Sequence, residues 1–270
     1  MRYQLTPDPQ TLQAMEHLAH RIDLLAKERV FDELCKLLPL INARQLLDCA
    51  PILSAAIPEL SPMIGFQQHT PHHAYDVFTH TAYVVDGTPP TLPLRWAGLL
   101  HDVGKVPTFT VDENGRGHFL GHAKVSAQMA NQILLRLKAP NQLREDVVFL
   151  IEKHMTPLTA DKKLLRRRLS QYGQARLEMQ LALQKADFYA KGVTGDTADF
   201  AAIQAVLQEI LEENACLSIK DLALNGHDLL ALGYSGPAIG QALQQLLELV
   251  LDEQVANEKS ALITALQTKI

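Results

Sequence analysis

The sequence predicts an all-α protein interrupted by one small β-hairpin and finished by a helical C-terminal tail. Three observations predict it. Apolar residues recur at helical three-and-four spacing, as in Leu12, Met15, Leu18, Ala19, Ile22 and Leu25. Prolines 39, 51, 140 and 157 stop one such stretch after another. Only residues 106–121 abandon the pattern, with strand propensity in Thr108-Phe109-Thr110-Val111, a turn at Asp112–Gly115 and a return at His118-Phe119.

Taken in order, Thr6 or Asp8 caps a first helix over about Gln10–Leu25, with Pro9 in its first turn. A second helix runs from Glu28 to Leu38 and a third from Ala43 to Cys49. Ile57–Pro62 is proline-punctuated and reads as short turns. Residues 66–75 form a histidine-rich loop, and Asp76 caps a helix to Val85. Leu94–Leu100 is an apolar helix leading into His101-Asp102-Val103-Gly104-Lys105, where Gly104 suits a turn out of the helix. Helices follow over His122–Lys138, from the Asn141 cap to His154, and over Gln174–Lys191. Residues 161–168 carry Lys162, Lys163, Arg166, Arg167 and Arg168 against a single acid. After a loop at Gly192–Asp196 come helices over Ala198–Asn214, Pro237–Glu253 and from Glu258, with a turn-and-cap stretch at Asn225–Gly240.

The 270 residues allow one large or two smaller helical domains, and 47% hydrophobic with 20% charged residues fits a soluble protein with a sizeable core. The net charge of −5 gives no whole-chain attraction to nucleic acid, although local patches can still supply it. Cys35, Cys49 and Cys216 are odd in number and widely separated, as expected of packed thiols in a reducing compartment. No apolar run reaches membrane-spanning length, and the N-terminus lacks a secretory pattern, so the expectation is a cytoplasmic protein with no membrane contact.

The residues that carry chemistry are His80, His101, Asp102, His122, His154 and Asp187. Separations of 21 (80 to 101), 20 (102 to 122), 32 (122 to 154) and 33 (154 to 187) leave room for a helix and a return between ligands, so the helices can converge. A single helical histidine is as a rule a packed or solvated group; the ordered set carries the argument. Asp102 can give one oxygen to each of two metals. Such a mixed N/O set suits Mn, Fe, Co, Ni or Zn, with Mg possible, and two ions are expected ahead of one.

These residues resemble the HD-domain metal-dependent phosphohydrolases through His80, His101-Asp102 and Asp187. The resemblance is closer to the HD region, body and tail of bacterial CCA-adding tRNA nucleotidyltransferases. It is carried by His72-His73-x-Tyr75-Asp76-Val77-x-x-His80-Thr81, Leu100–Lys105, Phe119-x-Gly121-His122, Pro140-Asn141, His154-Met155, Ala186-Asp187, Asn225-Gly226-x-Asp228 and Gly236-Pro237-x-Ile239-Gly240. It spans roughly residues 8–265. The Gly-Ser motif and Asp-x-Asp pair of that family's catalytic head are not found in this sequence, so CCA addition by this chain alone is not expected. The resemblance implies three segments: a neck-like helical part at 1–65, an HD domain at 66–200 and a tail at 201–270.

The activity this implies is phosphoester hydrolysis by a metal-bound hydroxide. His101, Asp102 and Lys105 would serve catalysis, Lys105 as a cation facing the transition state, and His73, His118 and Arg167 would contact substrate. The implied substrates are 2′,3′-cyclic nucleotides, RNA cyclic phosphate ends or nucleoside monophosphates. Two other readings stand beside it. One is a tRNA-binding or assembly subunit for a separate nucleotidyltransferase, with a structural metal. The other is a hydrolase of guanosine polyphosphates or cyclic dinucleotides. Neither the oligomeric state nor the pathway is written in the sequence.

Overall fold

Asp8 opens the first helix by accepting from the amides of Gln10 and Thr11, so α1 runs Pro9–Leu18. The expected continuation to Leu25 tightens into a 3₁₀ segment, Ala19–Leu24. The computed structural model describes residues 8–70, 72, 74–193, 198–213 and 215–267. Thr6, His73, the Leu12 side chain, residues 194–197 and Asn214 lie outside that description.

Helix α2 is Lys27–Leu37, and α3 is Ala43–Asp48 with a capping box between Asn42 and Gln45. Pro51 does not end the helical run. It sits in the first turn of a further helix, α4 (Ala50–Ala56), where its missing N–H costs nothing. A 3₁₀ turn covers Pro58–Met63. Asp76 caps α5 (Val77–Gly87), followed by α6 (Leu92–Leu100) and the short α7 (Lys105–Thr108). The hairpin is antiparallel, β1 (Thr110–Val111) on β2 (Gly117–His118), with Thr110 opposite His118. Its base is tied down by Gly117 N–H donating to His69 O at 2.8 Å. Then come α8 (His122–Arg136), α9 (Asn141–Lys153), α10 (Lys162–Tyr172), α11 (Gln174–Tyr189), α12 (Phe200–Glu212), α13 (Gly226–Ala231), α14 (Pro237–Leu251) and α15 (Lys259–Gln267).

The chain divides into two compact units, Met1–Pro157 with Glu178–Ala198, and Leu158–Leu177 with Asp199–Ile270. This differs from the three expected segments in two ways. Among the described residues, 8–65 share their core with the helices that follow. Val30, Leu46 and Leu53 join one cluster with Trp96, Leu99, Ile133 and Ile151; α4 packs against the segments on either side of it, and α3 carries the cluster on to α5. Stacking of Phe31 on Trp96, with ring centres 5.7 Å apart, seals that junction.

The second departure is α10. Its basic run finds acids only in the C-terminal unit. Lys162 pairs with Glu209 and Glu213 (2.5 and 2.6 Å), Arg166 with Glu213 and Glu253, and Arg167 forks onto Asp252 with both bonds at 2.7 Å. The core of this unit gathers Leu224, Leu229, Leu246 and Leu262. Asn225 and Asp228 cap α13 reciprocally, as the sequence suggests for this stretch.

The hydrogen bond from Arg167 holds the Asp252 carboxyl below its ordinary range, and the bond from Lys162 does the same for Glu213. A depressed carboxyl pKa stabilises the folded state above the unfolded value of about 4, and that stabilisation is lost as pH falls through the folded value. Asp252→Asn is therefore expected to lower the thermal midpoint at pH 7, with the gap to wild type narrowing as pH falls below about 4. Thermal melts of both proteins across that range check it.

Candidate metal centre

Five helices bring the six expected ligands together. His80 lies within α5, His101 is the C-cap of α6 with Asp102 next, His122 is the first residue of α8, His154 is the C-cap of α9, and Asp187 lies on α11. Gly121 takes a left-handed φ of +77° to aim the start of α8 inward. All four imidazoles are buried, and Asp102 is 1% exposed.

The imidazoles share one arrangement. Each Nδ1–H donates to a backbone carbonyl: His101 to Gly98 (2.8 Å), His122 to Phe119 (2.8 Å), His154 to Ile151 (2.6 Å) and His80 to Ala190 (3.3 Å). This fixes the tautomer and leaves Nε2 as the inward atom, the second-shell pattern of metal-ligating histidine. The Nε2 atoms then meet in pairs, His80 with His101 at 3.4 Å and His122 with His154 at 3.2 Å. Asp102 stands between the pairs. Its Oδ2 is 3.2 Å from His101 and 3.5 Å from His80, and its Oδ1 is 3.4 Å from His122. Asp187 Oδ1 completes the first pair, 2.9 Å from His80 Nε2. Two groups that could each hold a metal ion result, His80–His101–Asp102 and Asp102–His122–His154, sharing one carboxylate.

The arrangement fits cations. Both oxygens of Asp102 are buried; Oδ2 is ion-paired with Lys105, and Oδ1 has no hydrogen-bond partner among the described residues. Facing lone pairs on neighbouring Nε2 atoms repel unless a proton or a metal lies between them. Imidazole nitrogen with carboxylate oxygen is the donor set of Mn, Fe, Co, Ni or Zn.

Electrostatics match this picture. Burial raises the cost of charge on Asp102, yet His101, Lys105 and His80 hold its carboxyl well below the usual range. Asp187 is likewise held low against its burial by the hydrogen bond and charge of His80 and the charge of His101. Burial pushes His154 down to about 4, with His101 adding to it, so its imidazole is neutral and able to ligate near pH 7.

Of the other expected residues, Lys105 is buried, 2.7 Å from Asp102 Oδ2 and 2.9 Å from Gln68 Oε1. His118 lines a cavity of about 340 Å³ that reaches Asp102, His122, His154 and Asp187, and its Nε2 is 2.8 Å from Asp112 Oδ2. His73 lies outside the described residues. Arg167 belongs to the other unit, held by Asp252 and Glu248, so its charge is already compensated there.

Sequence reasoning missed three supports. Gln68 holds Lys105. The carbonyls of Gly98, Phe119 and Ile151 orient their histidines, and each lies three residues before its histidine, a spacing the sequence displays. Gly104 is needed for closeness, since its φ is −84° and not left-handed. A Cβ there would stand 2.5 Å from Ser126 N and 2.8 Å from His122 O, where Gly104 N–H donates to Ser126 Oγ at 2.9 Å.

The family model for tRNA nucleotidyltransferase domain 2 matches residues 109–266, more than half of the chain, and the chain belongs to that family. Residues 4–63 match a second model, "Probable RNA and SrmB-binding site of polymerase A". An A-adding tRNA nucleotidyltransferase of Deinococcus radiodurans is 34% identical over 264 residues, 90% of this chain and 60% of its own length. A CC-adding tRNA nucleotidyltransferase of Thermus thermophilus is 34% identical over 90% of this chain and 57% of its own. A multifunctional CCA protein of Azoarcus sp. (strain BH72) is 35% identical over 54% of this chain and 37% of its own. The chain thus spans about 60% of the length of the first two relatives.

These names correct one expectation. The relatives are tRNA nucleotidyltransferases, which are transferases, so the assignment of the chain as an HD-type phosphohydrolase is withdrawn. Among the described residues, no helix is long and apolar enough to cross a membrane.

Gly104→Ala is expected to push α7 and α8 apart and cost about 1–3 kcal/mol, the usual range for overpacking. Urea unfolding of the metal-free variant and wild type measures it, and an unchanged midpoint would mean that α8 yields without cost.

Proposed function

We propose that this chain holds tRNA, and that the His/Asp cluster is a structural metal centre fixing the helices of its first unit. The observation that carries the reading is identity to tRNA nucleotidyltransferases over 90% of the chain, together with the RNA-binding-site match over residues 4–63. On this reading nucleotide addition belongs to a catalytic part carrying the Gly-Ser and Asp-x-Asp motifs, and this chain supplies grip and placement. The net charge of −5 and the ion pairs of the α10 run weaken the most basic stretch of the chain as a phosphate contact, so the binding is expected to depend on tRNA shape more than on that run.

The two ligand groups would hold two divalent transition ions. His80, His101 and Asp187 would bind one, His122 and His154 the other, and Asp102 both. Bound ions would neutralise the buried Asp102 carboxylate and join five helices at one point. Such a centre stabilises the fold by mass action, about 3 kcal/mol at a free ion concentration one hundred times Kd.

Two measurements test the reading. Fluorescence anisotropy with a labelled tRNA transcript should show tighter binding than to an unstructured RNA of equal length, with a shallow salt dependence. Equal affinity for both RNAs would remove the tRNA-holding role. Metal analysis after reconstitution with Mn, Co or Zn should find two ions in wild type and none in Asp102→Ala. Chelation should lower the thermal midpoint of wild type only. Wild type that retains no ion would remove the metal centre.

A further inference from the structure

Helix α11 carries Gln180, Gln184 and Asp187 at spacings of four and three, so the three side chains share one face. Asp187 completes the first ligand group through His80. The two amides serve the end of α9, whose last carbonyls have no partner within the helix. Gln184 Nε2 donates to His154 O at 2.9 Å and Thr156 O at 2.6 Å, with Lys153 O at 3.5 Å. Gln180 Nε2 donates to Lys153 O at 3.1 Å and Thr156 O at 3.3 Å. His154 is the C-cap of α9, a position that frays unless its carbonyls are held.

Gln180 is fully buried, and its Oε1 has no hydrogen-bond partner among the described residues. An apolar side chain of the same size would avoid burying that oxygen. The donor end of the amide is therefore what the site uses.

We propose that Gln184 and Gln180 are positioning residues for His154, and through it for the Asp102–His122–His154 ion site. The inference rests on the metal reading above. It makes α11 the element that sets both sites in register, giving Asp187 to one and holding the last ligand of the other.

Competition titration with cobalt(II) on the full chain tests it. Gln184→Leu removes the donor at similar size, and Gln184→Lys restores donors without an acceptor. The leucine variant should keep the first ion and bind the second about 10–100-fold more weakly, the usual cost of a lost second-shell bond, and lysine should recover most of it. A general structural role would weaken both ions alike, which would overturn the proposal, as would two ions bound as tightly as in wild type. Wild type that binds no cobalt overturns the metal reading and this inference with it, whereas an intact wild type beside an unaltered variant overturns this inference only. If the leucine variant does not fold, Gln184→Asn, which withdraws the donor by one methylene, is judged by the same outcomes.

Discussion

A buried, ionised carboxylate at a point where five helices meet is the constraint on which the first unit depends. Asp102 has two oxygens out of water, with Lys105 2.7 Å from Oδ2 and imidazoles on both sides. An unpaired charge in such a place costs several kcal/mol, so the surroundings must supply opposite charge. Lys105 supplies some, and the imidazoles converge from both sides. The imidazoles are themselves fastened to the backbone by Nδ1, three of them to the carbonyl one turn back. Displacing a ring therefore disturbs a helix end, and displacing a helix end moves a ring. The glycine at 104 belongs to the same constraint, since only a residue without Cβ lets α8 approach closely enough for His122 to reach Asp102.

Much of this was legible in the sequence because it is local. The clustered side chains show as histidines and aspartates in or beside helices, and their separations leave room for a helix and a return, so His80, His101, Asp102, His122, His154 and Asp187 could be grouped as candidates. What was not legible is decided between distant segments. Pro51 reads as a stop, yet it begins α4, because a proline is harmless in a first turn and the local signal is the same for both outcomes. The basic run of α10 reads as a solvated helix face with phosphate contact as an alternative. Its acid partners lie roughly 45–90 residues further along, and no spacing rule announces them. Gln68, Gln180 and Gln184 carry no signature either, because an amide that satisfies a carbonyl from another helix is chosen by tertiary position.

The site and the family point to different levels of function. A cluster of imidazoles around a shared carboxylate is chemically able to hold two cations, and this follows from donor type, tautomer and distance. It does not select a reaction, since one arrangement on one fold serves several purposes. The relatives name tRNA, and they do so along nearly the whole chain and not at the cluster alone. On the proposed reading a structural centre would reconcile the two, because a helical surface that receives a folded RNA must keep its elements in register under load.

The charge distribution sharpens the point. In the second unit Lys162, Lys163, Arg166 and Arg167 are paired with Glu209, Glu213, Glu248, Asp252 and Glu253, so most of the charge of the run that looks most like an RNA-binding strip is already compensated. Phosphate could win those cations only by displacing carboxylates already in place, a near-even exchange with little gain in affinity. Recognition built on counterion release is therefore weak here. On the proposed reading, complementarity of shape would carry more of the contact with tRNA, and shape is useful only when the surface is rigid. That demand would fall on the first unit, where a buried carboxylate and four imidazoles of fixed tautomer leave a centre that two cations would lock.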